Sequence, residues 1–318
     1  MKRVFSIIVP VYNRPNEIDE LLFSLTKQDY SDDFEVLIVE DGSKDTCEHF
    51  IEKYRSQLNL RYFYKENTGA GPSRNFGMQH AKGTYFIILD SDVLVPEQYL
   101  EEVSKALEEN YTDAFGGPDA AHEGFTTVQK AINYSMTSVL TTGGIRGKKK
   151  AVGTFQPRSF NLGMSKKAFE LTQGFSDLKV GEDIDLTFRL WARGCKTQLI
   201  ENAYVYHKRR STIQQFFKQT FSFGSARPQL TARYPETAKL TYWFPSLFII
   251  GFYLSMSATF LGIWEFLLLF YFYFVLIFFD ALLQSKNFKV AVLSIITTFA
   301  QHFAYGSGFL ISRFSKKS

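Results

Sequence analysis

Two carboxylates, Asp90 and Asp92, follow the apolar run Tyr85-Phe86-Ile87-Ile88-Leu89 at a spacing of i, i+2. A short apolar run of this kind reads as a buried strand. Its end delivers both carboxylates to the carboxyl edge of a sheet, where open α/β folds place their ligands. Hard divalent cations take oxygen ligands, and Mg²⁺ or Mn²⁺ is commonly held by one or two carboxylates together with substrate phosphates. Taken alone, D-x-D equally suits a solvated turn, because Asp favours turns. A second acidic cluster, Glu182-Asp183 with Asp185, opens a helical stretch. There it complements the helix macrodipole.

The elements around these acids alternate. Strands are expected at residues 6–12 (SIIVPVY), 34–39 (FEVLIV), 60–64 and 85–89. Helices are expected at 17–28, 45–55, 73–81 and 99–109, and again at 182–193, which Gly194 ends. Residues 155–164 return to the sheet. This alternation implies βαβ units and a mostly parallel sheet, an α/β fold of Rossmann-like type. Each strand ends in polar or acidic residues, Asn13, Asp41, Asn67, Asp90 and Asp92, so these converge on one rim although distant in sequence. Residues 141–153 (TTGGIRGKKKAVG) are glycine-rich and basic, which suits a surface loop as well as a phosphate-contacting lid.

The chain has 318 residues, enough for one large or two ordinary domains. Two cysteines, Cys47 and Cys195, exclude a disulfide scaffold and point to a reducing compartment. The apolar run at 4–11 is short and contains Pro10, so a first strand is expected there and no secretory signal. Many of the 33 Phe crowd the C-terminal third. Residues 243–264 are almost uncharged, as are 266–283 apart from Asp280. A helix of about 20 residues rises about 30 Å, enough to cross a bilayer core. Residues 290–311 form a poorer third candidate, carrying Gln301, His302, Tyr305, Gly306 and Gly308. Lys208, Arg209, Arg210, Lys218, Arg227, Arg233 and Lys239 precede the first span and place the N-terminal part in the cytoplasm by the positive-inside rule. Lys286 and Lys289 agree with this; Arg313, Lys316 and Lys317 conflict with it if the third segment spans. Residues 213–223, with Phe216, Phe217, Phe221 and Phe223 beside Lys218, read as an interfacial amphipathic helix. The expected organisation is therefore a catalytic domain at 1–210, a basic amphipathic segment at 211–240 and a membrane region of two to three helices at 241–318. The whole is a multi-pass cell-membrane protein.

Taken together, five segments resemble the family 2 glycosyltransferases: SIIVPVYNR (6–14), VEDGSKD (39–45), ENTGAGPSRNFG (66–77), LDSD (89–92) and GEDIDLTFRLWARG (181–194). The resemblance covers roughly residues 4–210. It implies a GT-A fold, a nucleotide-sugar donor and inversion at the anomeric carbon. By the same resemblance Asp41 hydrogen-bonds the donor base, Pro10 and Tyr12 wall the base pocket, and Arg74 lies near the diphosphate. Asp90 contacts ribose and base, with Ser91 beside it at the donor. Asp92 ligates Mn²⁺ or Mg²⁺, and His207 is a further ligand or else a surface His beside a basic run. Asp183 matches the family base, with Glu182 raising its pKa by like-charge repulsion; Asp185, further along the helix, is the second choice of base. Asn161, Gly163 and Met164 match the segment that shapes the sugar and acceptor pocket.

One departure is informative. Processive synthases of the family carry Gln-x-x-Arg-Trp after the base, whereas residues 211–219 here lack Arg-Trp. Transfer of a single sugar is expected. The expected partners are a nucleotide sugar, UDP-sugar first, a lipid-linked or glycan acceptor of cell-envelope polysaccharide or glycolipid synthesis, and the membrane. Within enzymes the alternative is a polyprenyl-phosphate monosaccharide synthase. Outside enzymes it is a membrane-tethered nucleotide-sugar-binding scaffold. A dinucleotide-dependent dehydrogenase is disfavoured, since no G-x-G-x-x-G follows the first strand. Nucleic-acid binding is disfavoured because the basic residues adjoin the apolar spans.

Overall fold

The computed structural model describes residues 3–120, 122, 124–142 and 155–315. In chain order the elements are β1 (Phe5–Val11), α1 (Pro15–Leu25), β2 (Phe34–Asp41), α2 (Glu48–Tyr54), β3 (Asn59–Lys65), α3 (Ala70–His80), β4 (Tyr85–Leu89), β5 (Val93–Leu94), α4 (Tyr99–Glu109), β6 (Ala114–Gly116) and β7 (Asp119–Ala120). Then follow α5 (Thr127–Thr137), α6 (Val139–Thr142), β8 (Asn161–Ser165), α7 (Lys166–Thr172), α8 (Glu182–Ala192), β9 (Thr197–Leu199) and β10 (Val205–His207). The last helices are α9 (Ile213–Arg233), α10 (Phe244–Thr259), α11 (Glu265–Ser285) and α12 (Phe288–Phe314). They form two compact units, Met1–His122 with Lys149–His207, and Glu123–Lys148 with Lys208–Ser318.

The first unit is built on a seven-stranded sheet in the order β3-β2-β1-β4-β8-β6-β9. β1 to β4 pair in parallel, and β8 runs antiparallel to both β4 and β6. Every residue of β1 and β4 is buried, because helices cover both faces. Ile7, Val9 and Val11 point into one core layer with Ile18, Leu21 and Leu22 of α1 and Val103 of α4. Ile8 and Ile88 point the other way, against Met78 of α3 and Leu186 and Leu190 of α8. This period-2 division forces the strand ends, and the acids on them, onto one edge. A second, three-stranded sheet, β5-β10-β7, lies beyond β4. In it His207 is in antiparallel register with Val93, the residue after Asp92.

The second unit is helical, and α12 is its packed centre. Most residues that α12 buries are small, among them Ala291, Ser294, Thr297, Ala304, Gly306 and Gly308, with Val290, Gln301 and Phe309 the larger ones. A Cβ at Gly308 would run into the backbone at Phe221, so glycine is what lets α9 lie this close. The chain at 124–142 belongs here and not to the catalytic domain expected at 1–210. A Thr126/Gln129 capping box starts α5, and Ser135 bonds Thr297 and Thr298 at 2.7 and 3.1 Å. The amphipathic 213–223 stretch is the first half of a 21-residue helix. Its Phe216 is fully buried against Ile132 and Met136, so part of the expected membrane-facing stripe packs on protein.

Two described helices, Leu240–Thr259 and Glu265–Ser285, are long and apolar enough to cross a membrane, with mean hydropathies of 1.2 and 2.4. Only 17% and 11% of these segments are buried within the chain, unlike the core helix of a soluble protein. The third candidate is instead the packed helix α12. Of the expected loop at 141–153, only Thr141 and Thr142 are described, in α6; the rest, and Lys316 and Lys317, lie outside the described residues.

Candidate active site

The first wall of the site is the rim of β1 and β2. Asp41 closes β2, is 3% exposed, and has both oxygens occupied. Thr68 N–H and Lys65 Nζ donate to Oδ1, the former at 2.9 Å, and Gly69 N–H donates to Oδ2 at 2.8 Å. Burial pushes the Asp41 carboxyl up, but the bonds from Lys65, Thr68, Ser73 and Gly69 outweigh it and hold it below its ordinary value. Asp41 thus fixes the loop between β3 and α3. Pro10 is buried in β1, while Tyr12, one residue past the strand, is 53% exposed. Asn13 adopts φ 53° and ties this rim to the next, accepting from Lys44 N–H at 2.8 Å and donating its own N–H to Ser43.

The acids converge beside it. Asp90, Asp92 and His207 each present a ligand atom within 4.8 Å of the others. His207 Nε2 stands 3.3 Å from Asp92 Oδ1, and the ring stacks on Phe160 at 4.8 Å. The β10–β5 register carries His207 there. Asp92 Oδ2 meets the Arg14 guanidinium. Burial pushes Asp92 up, but the bond and charge from His207 and the Arg14 charge outweigh it and hold the group well below the usual carboxylate range. Arg74, 4% exposed, bridges two acids, Asp90 Oδ1 at 2.7 Å and Glu182 Oε1 at 2.9 Å. Phe175 lies 5.1 Å from its guanidinium. Burial disfavours the Arg74 charge, yet Asp90 and Glu182 more than restore it.

α8 supplies the base candidates. Gly181 takes φ 83°, the left-handed turn that opens the helix and aims its first turn at the sheet edge. Asp183 Oδ1 accepts Ile184 N–H at 2.8 Å, Oδ2 accepts Ser159 N–H at 3.4 Å, and Arg158 stands 3.8 Å away. Burial, and after it the neighbouring Asp183, push the Glu182 carboxyl up, with Arg74 opposing.

Asp90, Asp92 and His207 fit a divalent cation by donor type. Two carboxylates suit Mg²⁺ or Mn²⁺ and an imidazole suits the transition metal of the two. His207 Nδ1 is buried without a hydrogen-bond partner, which leaves the ring orientation to Phe160 and the strand register. The profile of Glycosyl transferase family 2 matches residues 6–171, just over half of the chain.

This chain belongs to glycosyl transferase family 2. Staphylococcus aureus TarS, a poly(ribitol-phosphate) beta-N-acetylglucosaminyltransferase, is 38% identical over 112 residues, 34% of this chain and 20% of TarS. Escherichia coli chondroitin synthase is 25% identical over 235 residues, 64% of this chain and 34% of the synthase. The chain thus spans about a fifth of one relative and a third of the other. Among solved structures, the Pyrobaculum calidifontis mannosyltransferase PcManGT in complex with GDP-Man and Mn²⁺ aligns at a TM-score of 0.68, covering 94% of this chain and 87% of that one at 16% identity. S. aureus TarS 1-349 with UDP-GlcNAc aligns at 0.51, over 70% of this chain and 66% of that one at 24% identity. At such identities the likeness is one of fold, here a GT-A arrangement.

Several expected site residues of this family 2 glycosyltransferase are buried around the rim and in the sheet. Asn161 is fully buried in β8, its Oδ1 taking the Tyr99 hydroxyl at 2.6 Å and its Nδ2 donating to Ala203 O at 2.8 Å. Both polar atoms of its side chain thus have partners inside the protein. Gly163 and Met164 pair with Phe115 and Ala114 on one side and Ile87 and Phe86 on the other, inside the core. Ser91 sits between the two acids, 7% exposed. Asp185 is fully buried and paired with Arg189 at 2.9 Å. Arg189 in turn donates to Thr172 O and Gly174 O, so this acid anchors α8 to the segment after α7. Two residues had no assigned role. Arg14 lies in the first motif but carried no expectation. Glu40 is fully buried and receives Ser43 Oγ, Cys47 N–H at 2.9 Å and Cys47 Sγ at 3.0 Å, shaping the turn after β2. An acid inside an apolar strand, followed by Ser and Cys, is the readable signal for such a turn.

Proposed function

We propose that the enzyme transfers one sugar, with inversion, from a nucleotide-diphosphate sugar, a UDP-sugar first, to a lipid-linked or glycan acceptor in cell-envelope synthesis. The observation that carries this is the Asp90–Arg74–Glu182 bridge. It joins the metal-ligand acids at the end of β4 to the first turn of α8, where Asp183 stands. Asp183 takes the proton of the acceptor hydroxyl. The oxygen's electron pair attacks the anomeric carbon from the face opposite the diphosphate, and the bond to the phosphate oxygen breaks with its pair on the departing nucleoside diphosphate. One displacement inverts the centre. Ser159 N–H and Ile184 N–H orient the Asp183 carboxylate, and Arg158 lies close enough to balance its charge. A Mn²⁺ or Mg²⁺ ion held by Asp90, Asp92 and His207 would offset charge on the leaving diphosphate.

Membrane attachment through Leu240–Thr259 and Glu265–Ser285 supports an acceptor met at a bilayer, with the catalytic unit on the cytoplasmic side. By its name TarS acts on poly(ribitol-phosphate), which keeps a polymeric acceptor in view beside a lipid-linked one. The test is calorimetric binding of UDP, GDP, dTDP and CMP to detergent-solubilised protein, with and without Mn²⁺, and with Asp92→Ala as control. Metal-dependent binding of one diphosphate, lost in the variant, is the expected result. Folded protein that binds none of them overturns the donor-site reading. Product analysis with a polyprenyl phosphate then separates a lipid-linked monosaccharide from an extended glycan.

A further inference from the structure

We propose that Arg14 is an exchangeable counter-cation: it neutralises Asp92 in the ligand-free enzyme and hands that carboxylate over when a divalent cation arrives with the donor diphosphate, to which the guanidinium turns. This rests on the donor-site reading above and adds, to the direct attraction between cation and diphosphate, a second coupling carried by Arg14.

The argument starts from what is fixed and what is free around Arg14. The backbone there is held. Asn13 is pinned at φ 53° by Ser43 and Lys44, and Pro15 starts α1 with its own φ locked by the ring. Arg14 is the N-cap residue, but its side chain makes no capping bond, so changing it leaves the helix start intact. The side chain is 31% exposed, and its one salt bridge among the described residues goes to Asp92. Arg74 is the opposite case, 4% exposed and committed to Asp90 and Glu182 at once. Of the two arginines on the ligand cluster, Arg14 is the one that can leave without stranding two acids.

Asp92 itself has no spare face. Oδ2 receives Arg14 and Oδ1 faces His207 Nε2, and the side chain is only 13% exposed. A dication that uses Asp92 must therefore compete with, or sit beside, a guanidinium charge, and like charges at this range repel. A diphosphate removes that conflict, because the planar guanidinium fork matches phosphate oxygens bidentately. Metal alone meets the Arg14 charge as a penalty, whereas metal with diphosphate converts it into a contact. By linkage, each ligand then tightens the other by the same factor.

The experiment is Mn²⁺ binding, read by the free-ion EPR signal and by calorimetry. It uses wild type, Arg14→Gln and Arg14→Lys in detergent, each with and without UDP, after circular dichroism confirms the fold. Arg14→Gln is expected to bind Mn²⁺ alone at least about 5-fold more tightly than wild type, the lower end of typical coupling factors. It is also expected to lose part of the gain that UDP confers on Mn²⁺ affinity, the part that Arg14 carries beyond the direct attraction of cation and diphosphate. Arg14→Lys, which keeps the charge, is expected to resemble wild type with Mn²⁺ alone. Weaker Mn²⁺ binding in Arg14→Gln would make Arg14 a strut that orients Asp92, and overturns the proposal. So does an unchanged affinity with the UDP gain intact. Wild type that binds neither Mn²⁺ nor UDP overturns this and the donor-site reading together; the other two failures overturn this alone.

Discussion

Replacing Arg74 by Met tests whether the bridge between β4 and α8 holds the site together. Met keeps the length and much of the packing against Phe175, but removes the charge shared by Asp90 and Glu182. Breaking a buried ion pair by deleting one partner costs about 3–5 kcal/mol, because the other charge stays buried. Here two acids are stranded. Asp90 is 27% exposed and rehydrates in part, while Glu182, at 15%, escapes some of the penalty by protonation, its carboxyl already being pushed upward. We therefore take the lower figure, about 3 kcal/mol. For a unit of this size that is a fall of roughly 6–12 °C in midpoint. Thermal unfolding of the detergent-solubilised enzyme, followed by intrinsic fluorescence, reads it. Mn²⁺ is expected to recover part of the loss, since a dication can take over Asp90 from the missing guanidinium. Arg74→Lys is expected to fall between wild type and Arg74→Met, because a point charge cannot fork to two carboxylates. A fall below about 2 °C in Arg74→Met, with no response to Mn²⁺, would refute the reasoning, since about 3 kcal/mol demands more at this chain length.

Asp183→Asn is expected to lower kcat by about 100- to 10,000-fold while leaving UDP affinity unchanged; loss of UDP binding in calorimetry would make Asp183 a structural acid instead. Asp41→Asn is expected to destabilise the enzyme at pH 7. The wild-type carboxyl titrates below its ordinary value when folded, so its contribution is present above about pH 4 and is lost as pH falls through the lowered value. Urea midpoints of the two proteins should therefore converge in acid, and a gap that persists there would contradict the assignment. Asn161→Ala is expected to cost about 1–3 kcal/mol by stranding the Tyr99 hydroxyl and Ala203 carbonyl. A raised acceptor KM without a stability loss would restore Asn161 to the acceptor pocket. In the helical unit, Asp280 accepts from Tyr134 at 2.6 Å, Ser138 at 3.1 Å and Gln284 at 2.9 Å. Asp280→Ala should speed hydrogen exchange in α5, and unchanged exchange would show the latch to be idle.

How much of this was legible depended on how local each signal was. β4 and α4 lie at the residues their periodicity predicts, because a run of apolar residues or a 3.6-residue stripe is written in adjacent positions. The acids at the rim followed, since a buried parallel strand can only emerge at its edge. The burial of Asn161, Gly163 and Met164 was not legible, because β8 enters the sheet antiparallel, between β4 and β6, and nothing in its five residues records that. The bridge from Arg74 to Glu182 spans 108 positions, and the contact of Arg14 with Asp92 spans 78; each is set by the fold and not by any spacing. The grouping of α5 with the C-terminal helices had a readable part, the Thr126/Gln129 capping box, which marks a helix start. Its partner was not readable, because Ser135 meets Thr297 across 162 positions.

The charges of the site form a ladder, and that ladder explains why two arginines sit where a metal and a phosphate are expected. Asp92 pairs with Arg14, Asp90 and Glu182 share Arg74, and Asp183 stands near Arg158. Acids crowded at one edge repel one another; at Glu182 burial, and after it Asp183, push the carboxyl up while Arg74 opposes. Guanidinium groups keep their charge under burial where ammonium groups lose it, so they can hold the acids ionised before any ligand arrives. A neutral sugar gains little from such a site. A metal and a diphosphate entering together can exchange partners with the ladder, dication to carboxylate and phosphate to guanidinium, without leaving a charge unpaired. The same exchange is unavailable to either ligand alone, which makes nucleotide affinity in the absence of metal the most sensitive measure of this arrangement. Wild-type UDP binding that is equally tight with and without Mn²⁺ would mean that the ladder is a structural brace and not a receiving surface.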